Sequence, residues 1–164
     1  MTDTILSPIP LTPQDFAPYG DVLAAEGDHV MINEGWCKRF HDRARLETDD
    51  AGRAGISIFH AQPRHFPYRF DLIERHPLGS QAFLPMTQHP FLVIVAAEAG
   101  ARPVAFLTNG RQGINLHRGT WHGVLTPLAE PGLFAVVDRI GTGVNLEEYR
   151  YAQPWTVVDQ GARS

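Results

Sequence analysis

The chain has 164 residues, 43% hydrophobic and 20% charged, which suits one packed domain over residues 1–164 and is too apolar for a disordered segment. Its formal charge of -4 arises from 18 acidic against 14 basic residues without long runs of either sign, so no electrostatic footprint for nucleic acid is present. Cys37 is the only cysteine, which excludes an intramolecular disulfide and a thiolate metal cluster.

The first residues, MTDTILSPIPLTPQ, carry neither the basic region nor the apolar stretch of a secretory leader. The longest purely apolar run, residues 91–97, is far below the roughly 20 residues that cross a bilayer. A cytoplasmic protein with no membrane partner is the expectation, and a lone cysteine agrees with a reducing compartment. Thr12, Pro13 and Asp15 predict a capped helix start, which Pro18 and Gly20 end soon after. Residues 43–53, RARLETDDAGR, have no apolar face and read as a solvated loop.

Beyond them, 15 Gly and 13 Pro over the whole chain leave only short segments between breaks. Residues 55–61, 67–76, 91–96, 104–108, 114–117 and 133–139 are rich in β-branched and aromatic side chains and predict strands. Neither a strand–helix alternation nor a fixed repeat period is present, so the reading is an all-β sandwich or barrel with minor short helices. The tail after Tyr151 could close a barrel end, cover a partner subunit or fray.

Side chains alternate faces along a strand. In the segment YRFDLIERH, residues 68–76, this places Tyr68, Phe70, Leu72, Glu74 and His76 on one face and Arg69, Asp71, Ile73 and Arg75 on the other. The first face is the expected inner one, and it ends in an acid and an imidazole. Polar groups cost about 1–3 kcal/mol each when buried without partners, so Glu74 and His76 are either a satisfied pair at a wet strand end or part of a site. Gln81 follows a turn at residues 77–80, and a second segment, GINLHRGTWH, adds Asn115, His117 and His122 around Gly119. Trp36, Trp121 and Trp155 read as packing in a core or an interface.

The pattern Glu74-x-His76-x4-Gln81, followed by Gly119-x2-His122, resembles the two cupin motifs, H-x-H-x(3,4)-E and P-x-G-x2-H, in degenerate form. The strings ERHPLGSQAFLPM, FLTNGRQGINLHRGTWH, FAVVDR and LTPQDFAPYGDV closely resemble the ureidoglycolate lyase family through most of the chain. The resemblance implies a cupin-like antiparallel β-barrel or jelly roll, a homodimer, no organic cofactor, and stimulation by a divalent metal such as nickel. It also implies cleavage of (S)-ureidoglycolate into glyoxylate and urea during allantoin degradation. By position, Glu74 replaces the first motif histidine, His76 matches the second, Gln81 replaces the glutamate and His122 matches the last. These four are the candidate metal ligands, although a neutral amide binds transition metals poorly. His117 stands where the motif has proline.

The implied reaction removes a hydroxyl proton, breaks a carbon–nitrogen bond and protonates the departing ureido nitrogen. Glu74 or His76 is the candidate base, and His122 or His117 the candidate acid. Gln81 and Asn115 would orient the ureido group. The substrate carboxylate needs a cation, and with Arg69 and Arg75 on the outer face the candidates are Lys38, Arg39 and Arg118. Two alternatives stand beside this reading. Another small-acid cupin enzyme, an isomerase or metal-dependent oxygenase, would need a firmer metal tetrad. A non-catalytic ligand-binding cupin would keep the pocket alone.

Overall fold

A computed structural model describes residues 4–162. Among them the strands are β1 (Ile5–Leu6), β2 (Ile9–Pro10), β3 (Gly20–Leu23), β4 (Val30–Ile32), β5 (Cys37–Arg39), β6 (Gly52–Ala61), β7 (Tyr68–Arg75), β8 (Gln81–Pro85), β9 (Phe91–Ala96), β10 (Val104–Leu107), β11 (Gly113–Leu116), β12 (Trp121–His122), β13 (Thr126–Pro127), β14 (Gly132–Gly141) and β15 (Glu147–Val157). The one short α-helix among them, α1 (Pro13–Phe16), has the expected start: the Thr12 hydroxyl accepts from the Asp15 N–H at 3.2 Å. None of the described helices is long and apolar enough to cross a membrane.

The larger sheet runs β1-β15-β7-β12-β9-β10-β2, with β13 also on β9, and the smaller runs β3-β11-β8-β14-β6. Its ladders are antiparallel except that β1 lies parallel to β15 and β2 parallel to β10, so the expected all-antiparallel barrel has two parallel pairs at the rims of the larger sheet. Strand β9 is buried on both faces, as its unbroken apolar run requires. Phe91, Val93 and Val95 meet Phe83, Ile114, Leu116, Phe134 and Val136 of the smaller sheet in one core. Leu92, Ile94 and Ala96 join Ile73, Trp121, Tyr151, Trp155 and Val157 in a second core. The result is the cupin-like all-β architecture.

Several expectations change on contact with this architecture. Ile73, placed on an outer face by alternation, is fully buried in the second core together with Tyr68 and Phe70. The ladder between β7 and β15 shifts register between Arg150 and Trp155, and such an irregularity resets which side chains share a face. The tail after Tyr151 continues β15, pairs with β7 and β1, and contributes Trp155 and Val157 to the core. The segment at 43–53 is more than a solvated loop: Thr48 bridges to Gly79, and Asp49 pairs with the buried Arg139 guanidinium at 2.5 Å. Trp121 and Trp155 are core residues, whereas Trp36 is 90% exposed on the turn between β4 and β5.

Candidate active site

Backbone register brings the two cupin-like segments together. His122 on β12 stands opposite Glu74 on β7 and opposite Val95 on β9, which turns its ring to the side of the first core. The Gly119 N–H donates to the His76 carbonyl at 3.0 Å. Gly119 has φ of +79°, a left-handed conformation that glycine adopts without strain. The turn preceding β12 is thereby fastened to the end of β7. The His76 and His122 rings lie 5.3 Å apart between centroids, and ligand atoms from Glu74, His76 and His122 all lie within 4.8 Å of one another.

Both imidazoles are tied from behind. His76 Nδ1 lies 2.8 Å from the Asn145 carbonyl, and His122 Nδ1 lies 2.8 Å from the Gly123 carbonyl. A carbonyl only accepts, so each Nδ1 carries a proton, and a neutral ring leaves its lone pair on Nε2. Both Nε2 atoms are buried without a hydrogen-bond partner. Burial holds His122 well below the usual imidazole range, at about 4, overcoming the opposing effect of its bond to Gly123. Burial also pushes the Glu74 carboxyl up, against the influence of His76, whose Nε2 is 3.9 Å from Glu74 Oε1. The cluster therefore offers two imidazole lone pairs and a carboxylate of raised basicity.

The remaining candidates separate. Gln81 begins β8 opposite Asp138 and Leu116, on the core-facing side of the smaller sheet, and its Oε1 is buried and unpartnered. Arg118 sits at the neighbouring turn, with Nε donating to the Pro77 carbonyl at 2.7 Å. Asn115 lies elsewhere: it is fully buried, and its Nδ2 donates to Asp21 Oδ2 and the Arg45 carbonyl. Asn115 pairs with Ala82 while Ile114 and Leu116 face the core, so it occupies the opposite face of the sheet. His117 pairs with Asp21 at 3.4 Å, outside the Glu74 cluster. Lys38 and Arg39 are exposed on the β4–β5 hairpin, whose ladder partners are each other's strands. Sequence spacing placed these residues near the site because it cannot tell which face of a sheet a turn leads back to.

Two site neighbours escaped sequence reasoning. Asn145 anchors the cluster from a loop, its carbonyl taking His76 and its Oδ1 taking the Leu78 N–H at 2.8 Å. A loop residue so far along the chain carries no local signal. Asp138 had one: in FAVVDR, Phe134, Val136 and Asp138 alternate onto the core face, so an apolar face ends in an acid as it does at Glu74.

Residues 3–158 match the sequence pattern of the ureidoglycolate lyase family. The chain is 55% identical over 152 residues to the ureidoglycolate lyase of Rhodobacter capsulatus, covering 90% of this chain and 94% of that one. It is 48% identical to the ureidoglycolate lyase of a Chelativorans species, covering 90% of this chain and 93% of the relative. Against the ureidoglycolate lyase of Pseudomonas aeruginosa the identity is also 48%, over 88% and 89% of the two chains. The chain belongs to the ureidoglycolate lyase family. Within that family's fold, the Glu74, His76 and His122 side chains form one compact polar cluster.

Proposed function

We propose that this chain splits ureidoglycolate into glyoxylate and urea, with Glu74, His76 and His122 as the reacting cluster. The observation that carries the reading is the pair of buried, unpartnered imidazole Nε2 atoms beside a carboxylate of raised basicity, in a chain with full-length relatives named for this reaction. Glu74 takes the proton from the substrate hydroxyl, the oxygen–hydrogen electron pair becomes the aldehyde carbonyl, and the carbon–nitrogen bond breaks toward the ureido nitrogen. That nitrogen needs a proton, which Glu74 delivers through His76 Nε2, so one proton serves both ends of the elimination. His122, neutral because it is buried, keeps a lone pair toward the reacting atoms. Arg118, whose Nε is tied to the Pro77 carbonyl next to His76, is our candidate cation for the substrate carboxylate.

The donor set of two imidazole nitrogens and a carboxylate oxygen suits a divalent transition metal such as nickel. Glu74, His76 and His122 would hold it, and a bound ion would polarise the substrate oxygens as a Lewis acid. We further infer a cytoplasmic homodimer, since closed two-fold dimers are the commonest assembly and β6, an edge strand of the smaller sheet, exposes Ile56 and Ile58 by 75% and 60%. The test of function is product analysis on racemic ureidoglycolate, with chelator-treated and nickel-supplemented protein. Equimolar glyoxylate and urea without ammonia are expected; ammonia as a stoichiometric product would make the protein an amidohydrolase.

A further inference from the structure

Gln81 and Asp138 face each other across the β8–β14 ladder, and Gln81 Nε2 donates to Asp138 Oδ2 at 3.1 Å. An aspartate carboxylate accepts hydrogen bonds, so the amide is fixed with its NH2 end toward Asp138. Its oxygen, Oε1, is therefore turned the other way, where it is buried without a partner. The other ladder neighbour of Gln81 is Leu116, which has only apolar side-chain surface to offer. A buried acceptor left in this state costs stability, and a ligand that donates would relieve it. Among the groups of ureidoglycolate, the ureido N–H groups donate, whereas the carboxylate would set acceptor against acceptor.

We propose that Asp138 is a positioning residue: it orients the Gln81 amide so that an acceptor reads the ureido end of the substrate, and so places the departing urea at the β8–β14 side of the site. The inference rests on the ureidoglycolate reading and adds the polarity of substrate binding to it. The test is a swap of the pair. In Asp138→Asn the new amide can donate to Oε1, which frees Gln81 to turn its NH2 inward. KM for ureidoglycolate should rise about tenfold, the loss of roughly one hydrogen bond, with a smaller change in kcat. The double variant Asp138→Asn with Gln81→Glu reverses the pair, with a donor at 138 bonding the new carboxylate and an acceptor oxygen left inward at 81, and KM should return to within about threefold of wild type, as a coupled pair requires.

Thermal unfolding of both variants accompanies the kinetics, and a KM that rises in Asp138→Asn and recovers in the double variant without a parallel change in melting temperature is something a purely structural role for Asp138 would not produce. An unchanged KM in Asp138→Asn, or a double variant no better than the single, overturns the proposal. So does loss of nickel affinity by calorimetry at unchanged KM, which would assign the Gln81 oxygen to an ion. Absence of glyoxylate from wild-type protein in the same assay would overturn the family reaction and this inference together, whereas normal wild-type turnover with an indifferent Asp138→Asn removes the inference alone.

Discussion

His122 stays neutral because its burial disfavours the charged ring more than the Gly123 carbonyl favours it. The same burial acts on Glu74 in the opposite chemical sense, making the carboxyl a stronger base. One dry environment thus supplies both a lone pair that persists at neutral pH and a proton acceptor. Glu74→Gln keeps the shape and removes the basicity. It should lower kcat by about 10² to 10⁴, the usual contribution of a positioned acid or base, while relieving a buried carboxyl and leaving the melting temperature equal or higher. A steady-state assay of glyoxylate release with a thermal melt reads both; kcat within a factor of about three of wild type would take the proton-transfer role away from Glu74.

Strand β14 joins the site to the rest of the smaller sheet. Its core-facing Asp138 bonds Gln81, and next along it Arg139 turns to the other face, where it binds Asp49 and the Thr142 carbonyl. Arg139 thereby clasps the loop before β6 and the loop before β15, and the latter carries Asn145 behind His76. The Arg139 guanidinium holds the Asp49 carboxyl below the usual carboxylate range. A group with a lowered folded-state pKa contributes stability above its unfolded pKa of roughly 4 and loses it as pH falls through the lower folded value. Asp49→Asn should therefore be less stable than wild type at neutral pH, with the gap narrowing in acid. Parallel denaturation series from neutral pH to about pH 3 would show it, and a constant gap would mean that the ion pair is not what Asp49 contributes.

Element existence was most legible where apolar residues repeat without interruption. Residues 91–96 became β9 unchanged, and the cap at Thr12 produced α1. The stretch Gln81–Pro85 hides its strand character behind Gln81 and Pro85. The strand Glu147–Val157 hides behind its charged start and Pro154, and each is a strand because the ladders on both sides demand it. The site was legible in the same measure. Glu74, His76 and His122 interrupt patterns that otherwise predict burial, so their convergence could be read from the chain. The place of Asn115 on the far face could not be read that way, because it depends on the register of β11 with β8 and β3.

On the scale of the whole molecule, the smaller sheet has one face in the core and another that carries Ile56, Ile58 and Leu84, all exposed in the single chain. Strand β6 closes that sheet on one side with ten residues and no proline, which leaves a long edge open to pairing. Ile58→Asp should shift the protein from dimer to monomer in light scattering at micromolar concentration without altering its far-UV spectrum. A monomeric wild type, or a dimer that persists in the variant, would put the subunit contact elsewhere or remove it.

The claim that organises all three scales is that His76 and His122, joined from two distant segments by the β7–β12 register, serve one elimination reaction. Its most direct test is kcat for glyoxylate release by His76→Ala and His122→Ala, measured on protein shown to be folded by thermal melting. The account predicts a fall of about 10² to 10⁴ for His76→Ala, which loses the proton relay, and of about tenfold for His122→Ala, which loses one hydrogen-bond acceptor at the reacting atoms; turnover near the wild-type value in either folded variant would contradict it.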